Sequence, residues 1–289
     1  MFIFKRKIIA NTAIASLMVM IGIYLGNTVA KAQEKITTVQ PAKKDTIIPS
    51  QKDAISIMQS VCGTNNVRQE KGNFFCKICP SFTSYGADGG TDGVLNSVVY
   101  GAFTKVGVSE ALVDLGNCES HVTLNGGSIL LRYTNKGWFK VRYEPALRSY
   151  NCLKFPISKG RHSLVCENYY AGQGVEINGL SVLQVGLKAT KINDLLTVVS
   201  NVHRCEPPFF EVKIRDFFKH DFNKDGHSDL IIKVSEATQT KISTRANNTQ
   251  CHVANLPKPK LHQLIFLFDG QSFRPTSATM KLMNKLDKK

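Results

Sequence analysis

The spacing of apolar residues changes character along the chain. From Ile8 to Leu25 they run almost without interruption, and no charge appears between Ile8 and Ala30. Ala54, Ile55, Met58 and Val61 then recur at helical spacing. Ser50 is placed to cap that segment, with Asp53 three residues on, so one short helix is predicted near the N-terminus. From about Asn96 onward the apolar runs shorten and are split by Gly, Asn and Asp, the pattern of an all-β domain. "SILLRYTNKGWFKVRY" predicts a hairpin of strands Ser128–Tyr133 and Trp138–Tyr143 around the turn Thr134–Gly137. "LHQLIFLFDGQSFRP" predicts another, with Asp269-Gly270 as a type I′ turn. In "TKINDLLTVVSNVHRC" the positions Ile192, Leu195, Leu196 and Val199 suit a helix. The β-branched content and the neighbouring strands favour a strand.

A longer period underlies these runs. "VGVSEALVDL", "KGRHSLVCEN" and "DGHSDLIIKV" align on Gly107, Gly160 and Gly226. In each, the glycine is followed by two residues, a short polar or acidic residue, and an apolar strand. Units of this length suit a repeated antiparallel meander resembling β-propeller blades. Three units are few for a closed propeller. A fourth, degenerate unit between Asn73 and Gly101, or an incomplete, blade-like sandwich, are the alternatives. The predicted fold class is therefore all-β, a repeated antiparallel meander, β-propeller-like, with one short N-terminal helix.

The first apolar run changes the picture of where this domain works. MFIFKRK is basic, the run follows, and Val29-Ala30-Lys31-Ala32 supplies small residues at the exit. This is the pattern of a secretory signal peptide over residues 1–32, cut before Gln33. The alternative is an uncleaved anchor, since the run approaches the ~20 residues that span a bilayer. Asn11, Thr12 and Ser16 within it favour cleavage. Either way the remainder is expected outside the cytoplasm, secreted or periplasmic. Residues 33–49 are polar and Lys-rich with Pro41 and Pro49, a flexible leader ahead of a domain over residues 50–289. The removed segment carries four cationic residues and no acid, which lowers the formal charge from +15 to +11. Lys and Arg are spread along the whole chain rather than gathered on one stripe, which argues against nucleic acid. An exported basic protein meets anionic surfaces instead, such as lipid headgroups, cell-wall polymers and acidic glycans, or simply carries a solvated surface with surplus lysine, an equally good reading. A membrane enters only if the leader stays uncleaved.

All eight cysteines lie after the cleavage site, and an even count in an exported chain predicts disulfides. Cys152 and Cys166 flank a turn at Lys159-Gly160 and would face each other across a hairpin. Cys205–Cys251 would tie the two ends of the last repeat.

The strongest chemical signal is "HDFNKDGHSDLIIKV", His220 to Val234. Asp221, Asn223 and Asp225 alternate, Gly226 permits a sharp turn, and Asp229 closes the loop. Hard cations such as calcium take six to eight oxygens at ~2.3–2.6 Å, and alternating acids on a tight loop can supply them, with the His227 carbonyl as a backbone ligand. The loop opens like an EF-hand, but position twelve is Ile232 rather than a bidentate acid, and a strand rather than a helix follows. An ion-free turn held by Asx hydrogen bonds is the alternative. "DFNKDGHSDLIIKV" resembles the loop of FG-GAP and VCBS repeats, the blades of integrin-type propellers, over roughly residues 210–275. The resemblance is faint over 96–185, where the units at Gly107 and Gly160 lack the acids. It implies one structural calcium held between two strands, with binding done elsewhere on the domain.

Other candidates are weaker. Cys76 and Cys79 form a C-x-x-C, but Pro80 and a loop-like "SFTSYGADGGTDG" follow, so no helix dipole activates a thiolate. "CESH" (Cys118, Glu119, His121) supplies too few ligands for zinc. Glu110, Asp114, Glu167 and Glu176 could pair across strands in a glycan hydrolase, but solvated strand ends are the favoured reading of them. "ADGGTDG" (Ala87–Gly93) reads as a loop, with a second weak cation site as the minor alternative. Trp138, with Phe139 and Tyr143, forms either a binding platform or part of the core. The expectation is an exported, non-enzymatic calcium-binding protein with ligands Asp221, Asn223, Asp225, His227 and Asp229. Its expected partner is a protein or an anionic glycan of the cell envelope. The alternative is an exported enzyme, either a glycan hydrolase or a thiol oxidoreductase using Cys76 and Cys79.

Overall fold

The computed structural model describes residues 43–87, 90, 92–120, 126–157, 160–204, 208–239 and 256–286. The N-terminal signal or anchor segment, residues 33–42 of the leader, His121 and the Cys205–Cys251 pair lie outside them.

The predicted helix is α1, Gln51–Cys62. Ser50 caps it by accepting the Asp53 N–H, and Ala54, Ile57, Met58 and Val61 face inward. Among the described residues fourteen strands follow, joined almost throughout as hairpins. The first sheet orders β1 (Val67–Glu70), β2 (Asn73–Cys76), β3 (Gly93–Gly101), β4 (Glu110–Gly116), β5 (Gly126–Thr134) and β6 (Gly137–Pro145). The second holds β7 (Cys152–Ile157), β8 (Arg161–Gly172), β9 (Val175–Val185), β10 (Thr190–Ser200), β11 (Phe209–His220), β12 (Asp229–Gln239), β13 (Lys260–Phe268) and β14 (Phe273–Pro275), paired in chain order.

The antiparallel meander is present; the propeller is not. Propeller blades are short sheets that stop and pack face to face around an axis. Here β7 to β14 share one continuous eight-stranded ladder, and β1 to β6 another of six, both open. Register irregularities at Asp194/Leu196 and Ile214/Asp216 let the larger sheet bend. It curls until the Phe155 ring on β7, at one edge, meets Phe273 on β14, at the other, with centroids 4.8 Å apart. The three aligned glycines all have positive φ, Gly107 at 72°, Gly160 at 68° and Gly226 at 88°, and each enters the second strand of a hairpin.

The β4 strand is buried at every position because its sheet is covered on both faces. One face, with Val98, Val113 and Ile129, packs on α1. The other, with Val99, Leu112 and Leu130, packs on Leu164, Leu183 and Val185 of the second sheet. The concave side of the second sheet has its own core, from Leu153 and Phe155 round to Leu264 and Phe268.

Two features depart from the predicted elements. The chain ends in a second long helix; numbering the short turn Ser84–Ala87 as α2, this helix is α3, Ser277–Leu286. Thr279 docks it: its hydroxyl accepts the Ile265 N–H at 2.7 Å, beyond the point where the three-residue β14 stops pairing. The end of the leader, moreover, is not free. Asp45 N–H donates to the Cys152 carbonyl, its carboxylate accepts the Lys154 N–H and the Lys219 ammonium, and Ile47 bridges Val98. Residues 45–47 thus cover the open edge of β7 and the stretch of β3 that β2 leaves unpaired.

The Asp269-Gly270 hairpin forms, but only Gly270 has positive φ, so the turn is not type I′. Asp269 instead accepts the N–H groups of Gln271 and Ser272.

Candidate functional site

The loop from Asp221 to Asp229 joins β11 to β12, with Lys224 at φ 62° and Gly226 at φ 88°. Its side chains wind around main-chain donors. Asp221 Oδ1 and Asn223 Oδ1 both accept from the Asp225 N–H, each at 3.2 Å, so these two oxygens converge on one donor. Asp221 Oδ2 accepts the Gly226 N–H at 3.1 Å. Asp225 accepts the His227 N–H at 2.8 Å and the Asn223 amide at 2.8 Å. The His227 N–H, then the Asn223 amide, hold the Asp225 carboxyl below its ordinary range.

Asp229 behaves differently. It is fully buried, and its oxygens tie the loop to the neighbouring strand, one accepting from Phe222 N–H and the other from Phe268 N–H, both at 2.8 Å. Burial pushes its carboxyl up, against the pull of these hydrogen bonds. The His227 imidazole lies against Phe268, ring centroids 6.2 Å apart.

Among the described residues no three His, Cys, Asp or Glu side chains converge at metal-binding distance. The donor set nonetheless fits a hard cation by chemistry: every candidate is an oxygen, three come from carboxylates within nine residues, and no sulfur or imidazole competes.

The remaining candidates are occupied. Cys76 pairs with Cys62 and Cys79 with Cys118, so the C-x-x-C sulfurs are held in two separate disulfides under α1. Cys152 pairs with Cys166, directly opposite in the β7–β8 register, as predicted. Glu110 accepts the Phe103 and Thr104 N–H groups and the Arg132 guanidinium, each at 2.8 Å. Asp114 is bound by Arg148, Asn96 and the Ser149 N–H. Glu167 accepts from Asn151, and Glu176 from His203 and Lys213. Each of the four acids therefore meets a donor rather than another carboxyl group. The trio Trp138, Phe139 and Tyr143 is split: Trp138 and Tyr143 lean on the α1 core, whereas Phe139 is 41% exposed. Of "ADGGTDG", Asp92 is bound by Arg68 at 2.9 Å, while residues 88, 89 and 91 lie outside the described residues.

Two clefts at the seam of the sheets gather residues that local patterns do not connect. One, of about 490 Å³, is lined by Asp53, Tyr100, Tyr133, Trp138, Lys154 and His162. The other, of about 590 Å³, shares His162 and presents Arg161, Lys191 and Arg274. Arg274 binds Asp269 at 3.1 Å; Arg161 and Lys191 have no ion-pair partner among the described residues. Comparison with protein-family models, curated proteins and solved structures found no match.

Proposed function

We propose that the protein is an exported, non-enzymatic binding protein of the FG-GAP/VCBS type, with one calcium ion stiffening the β11–β12 loop. The observation that supports this reading is an all-oxygen donor set in one tight loop, with Asp221 Oδ1 and Asn223 Oδ1 brought to the same side, where in the absence of an ion both accept the Asp225 N–H. Asp221, Asn223, Asp225, Asp229 and the His227 carbonyl would hold the ion. When bound, it neutralises acids that otherwise repel one another. The chain's own part is to preset the loop through Gly226 and to anchor it to β13 through Asp229. Three disulfides among the described residues support an oxidising compartment and therefore export. No helix among the described residues is long and apolar enough to cross a membrane. The partner is an anionic glycan of the cell envelope, a reading supported by the net basic charge and by Arg161 and Lys191 in the second cleft.

Calorimetric titration of calcium into chelator-stripped protein tests this. One saturable site and a raised melting temperature are expected, both lost in D221N/D225N. Absence of heat together with an unchanged melt overturns the metal reading.

A further inference from the structure

The cleft around Trp138 combines an aromatic wall with polar groups of both kinds. Trp138 touches Tyr133 and Tyr100, with ring centroids 5.0 and 5.9 Å apart. Tyr133 is 53% exposed, so the outer part of this wall is open, while Trp138 and Tyr100 rest on the α1 core. The Tyr100 hydroxyl is buried and has no hydrogen-bond partner among the described residues. That oxygen lies beneath the wall, out of reach of solvent, so a ligand would meet the aromatic faces and the polar groups at the rim of the cleft. His162 is pinned on both sides. Its main-chain N–H donates to the Ala102 carbonyl at 2.9 Å, and its Nδ1 accepts the Ala102 N–H at 3.1 Å. An imidazole that accepts at Nδ1 carries its proton on Nε2, which leaves a fixed donor with no partner among the described residues. Burial, then Lys154, keeps this ring's pKa below its ordinary value, so it stays neutral at physiological pH. Lys154 spends one ammonium proton on the Tyr100 carbonyl at 2.9 Å and retains two. Asp53 lines the cleft from the first turn of α1.

We infer that this cleft is a saccharide-binding subsite, taking a pyranose ring against Trp138 and Tyr133 with its hydroxyls on Asp53, Lys154 and His162. A sugar offers an apolar C–H face and hydroxyls that both donate and accept, which matches an aromatic wall flanked by acceptors and donors. A simple anion would meet Asp53, and a simple cation would meet Lys154. The volume of about 490 Å³ lies within the ~300–1,000 Å³ of small-ligand sites. The inference rests on the glycan-binding reading above but does not depend on calcium.

Trp138 is the single tryptophan of the chain, so its fluorescence reports this cleft directly. The purified protein is titrated with cellobiose, N,N′-diacetylchitobiose and digalacturonate, with tetramethylammonium and inorganic phosphate as controls, in calcium and in chelator. At least one saccharide should give a saturable emission change. Y133A should weaken it about three- to tenfold, and D53N should weaken it in calorimetry. Both side chains are exposed, and unchanged melting temperatures would confirm intact folding. The inference fails if no saccharide saturates by about 10 mM, a limit near −2.7 kcal/mol. It also fails if the response survives both substitutions undiminished, or if only tetramethylammonium or phosphate responds. Calcium heats read the β11–β12 loop and Trp138 reads the cleft, so each proposal can fail alone.

Discussion

Asp229→Ala removes the carboxylate that closes the β11–β12 loop, and its effect follows from what the two oxygens hold. One accepts Phe222 N–H and the other Phe268 N–H, at 2.8 Å, and the side chain is fully buried. Hydrogen bonds to a charged group contribute about 1.5–3 kcal/mol each, so the pair stabilises by roughly 3–6 kcal/mol before offsets. Burial opposes this by disfavouring the ionised form, and a net loss of about 2–4 kcal/mol remains. Asp229→Asn keeps one accepting oxygen but turns an amide N–H₂ toward the second donor, and should lose about half as much. Urea unfolding at pH 7 in chelator isolates this hydrogen-bonding role, and repetition in calcium adds any contribution of the ion. At a hundredfold excess over its dissociation constant, calcium would add about 2.7 kcal/mol to the wild type and much less to the alanine variant. A loss below about 1 kcal/mol in chelator would show that the two N–H groups do not depend on Asp229, and the account of the loop would be wrong.

Thr279→Val removes a hydroxyl that accepts from and donates to Ile265 while keeping its shape; a loss of about 1–3 kcal/mol is expected, with faster amide exchange at Ile265. Replacing Cys152 and Cys166 together by serine opens a loop of sequence separation 14 and should lower stability by about 2–3 kcal/mol, measured by urea melts without reductant. Acidification should destabilise through two groups. For Glu110, burial pulls the pKa upward, but hydrogen bonds from Thr104, Arg132 and Phe103 outweigh it and leave it below 4.5; its contribution is present above 4.5 and disappears as pH falls through the lower folded value. For His162, burial and then Lys154 lower the pKa from 6.5, so its contribution is present above 6.5 and is lost as pH falls. His162→Gln should flatten the decline in stability between pH 7 and 5, and an unchanged slope would contradict the assignment.

Much of the β architecture could be read from local patterns. The β5–β6 hairpin and the Cys152–Cys166 pairing depend on alternation and short turns, which act between neighbours in the chain. The strand at Thr190–Ser200 was ambiguous because Ile192 is 53% exposed on the outer face, where an apolar residue disturbs the alternation. That the meander forms two open sheets and not a closed propeller was hidden for a different reason. The glycine repeat specifies hairpins, and hairpins alone do not say whether the next one continues the same ladder or starts a new sheet. That choice lies in long-range packing, such as Phe155 on Phe273. The helix α3 carried a readable signal in Thr276, Leu282 and Leu286, but the docking of Thr279 onto Ile265 depends on where β14 stops. The aromatic cleft was hidden because Asp53, Tyr100, Tyr133, Lys154 and His162 come from separate elements and meet only once both sheets and α1 are assembled.

The repeat nevertheless has a physical cause apart from any propeller. Three residues after each turn glycine stands a polar residue: Glu110, Ser163 and Asp229. All three are at most 1% exposed. A polar group at such depth is tolerated when it answers main-chain donors. The two acids do so, Glu110 for Phe103 and Thr104, Asp229 for Phe222 and Phe268. Glu110 takes up two N–H groups of its own turn, and Asp229 takes up one from its turn and one from the end of the neighbouring strand β13. The difference between them is the supply of positive charge. Arg132 completes Glu110 at 2.8 Å, whereas no ion pair to Asp229 exists among the described residues. The loop that keeps extra acids at Asp221 and Asp225 is thus the one whose buried carboxylate lacks an arginine, and a bound cation there would do for Asp229 what Arg132 does for Glu110.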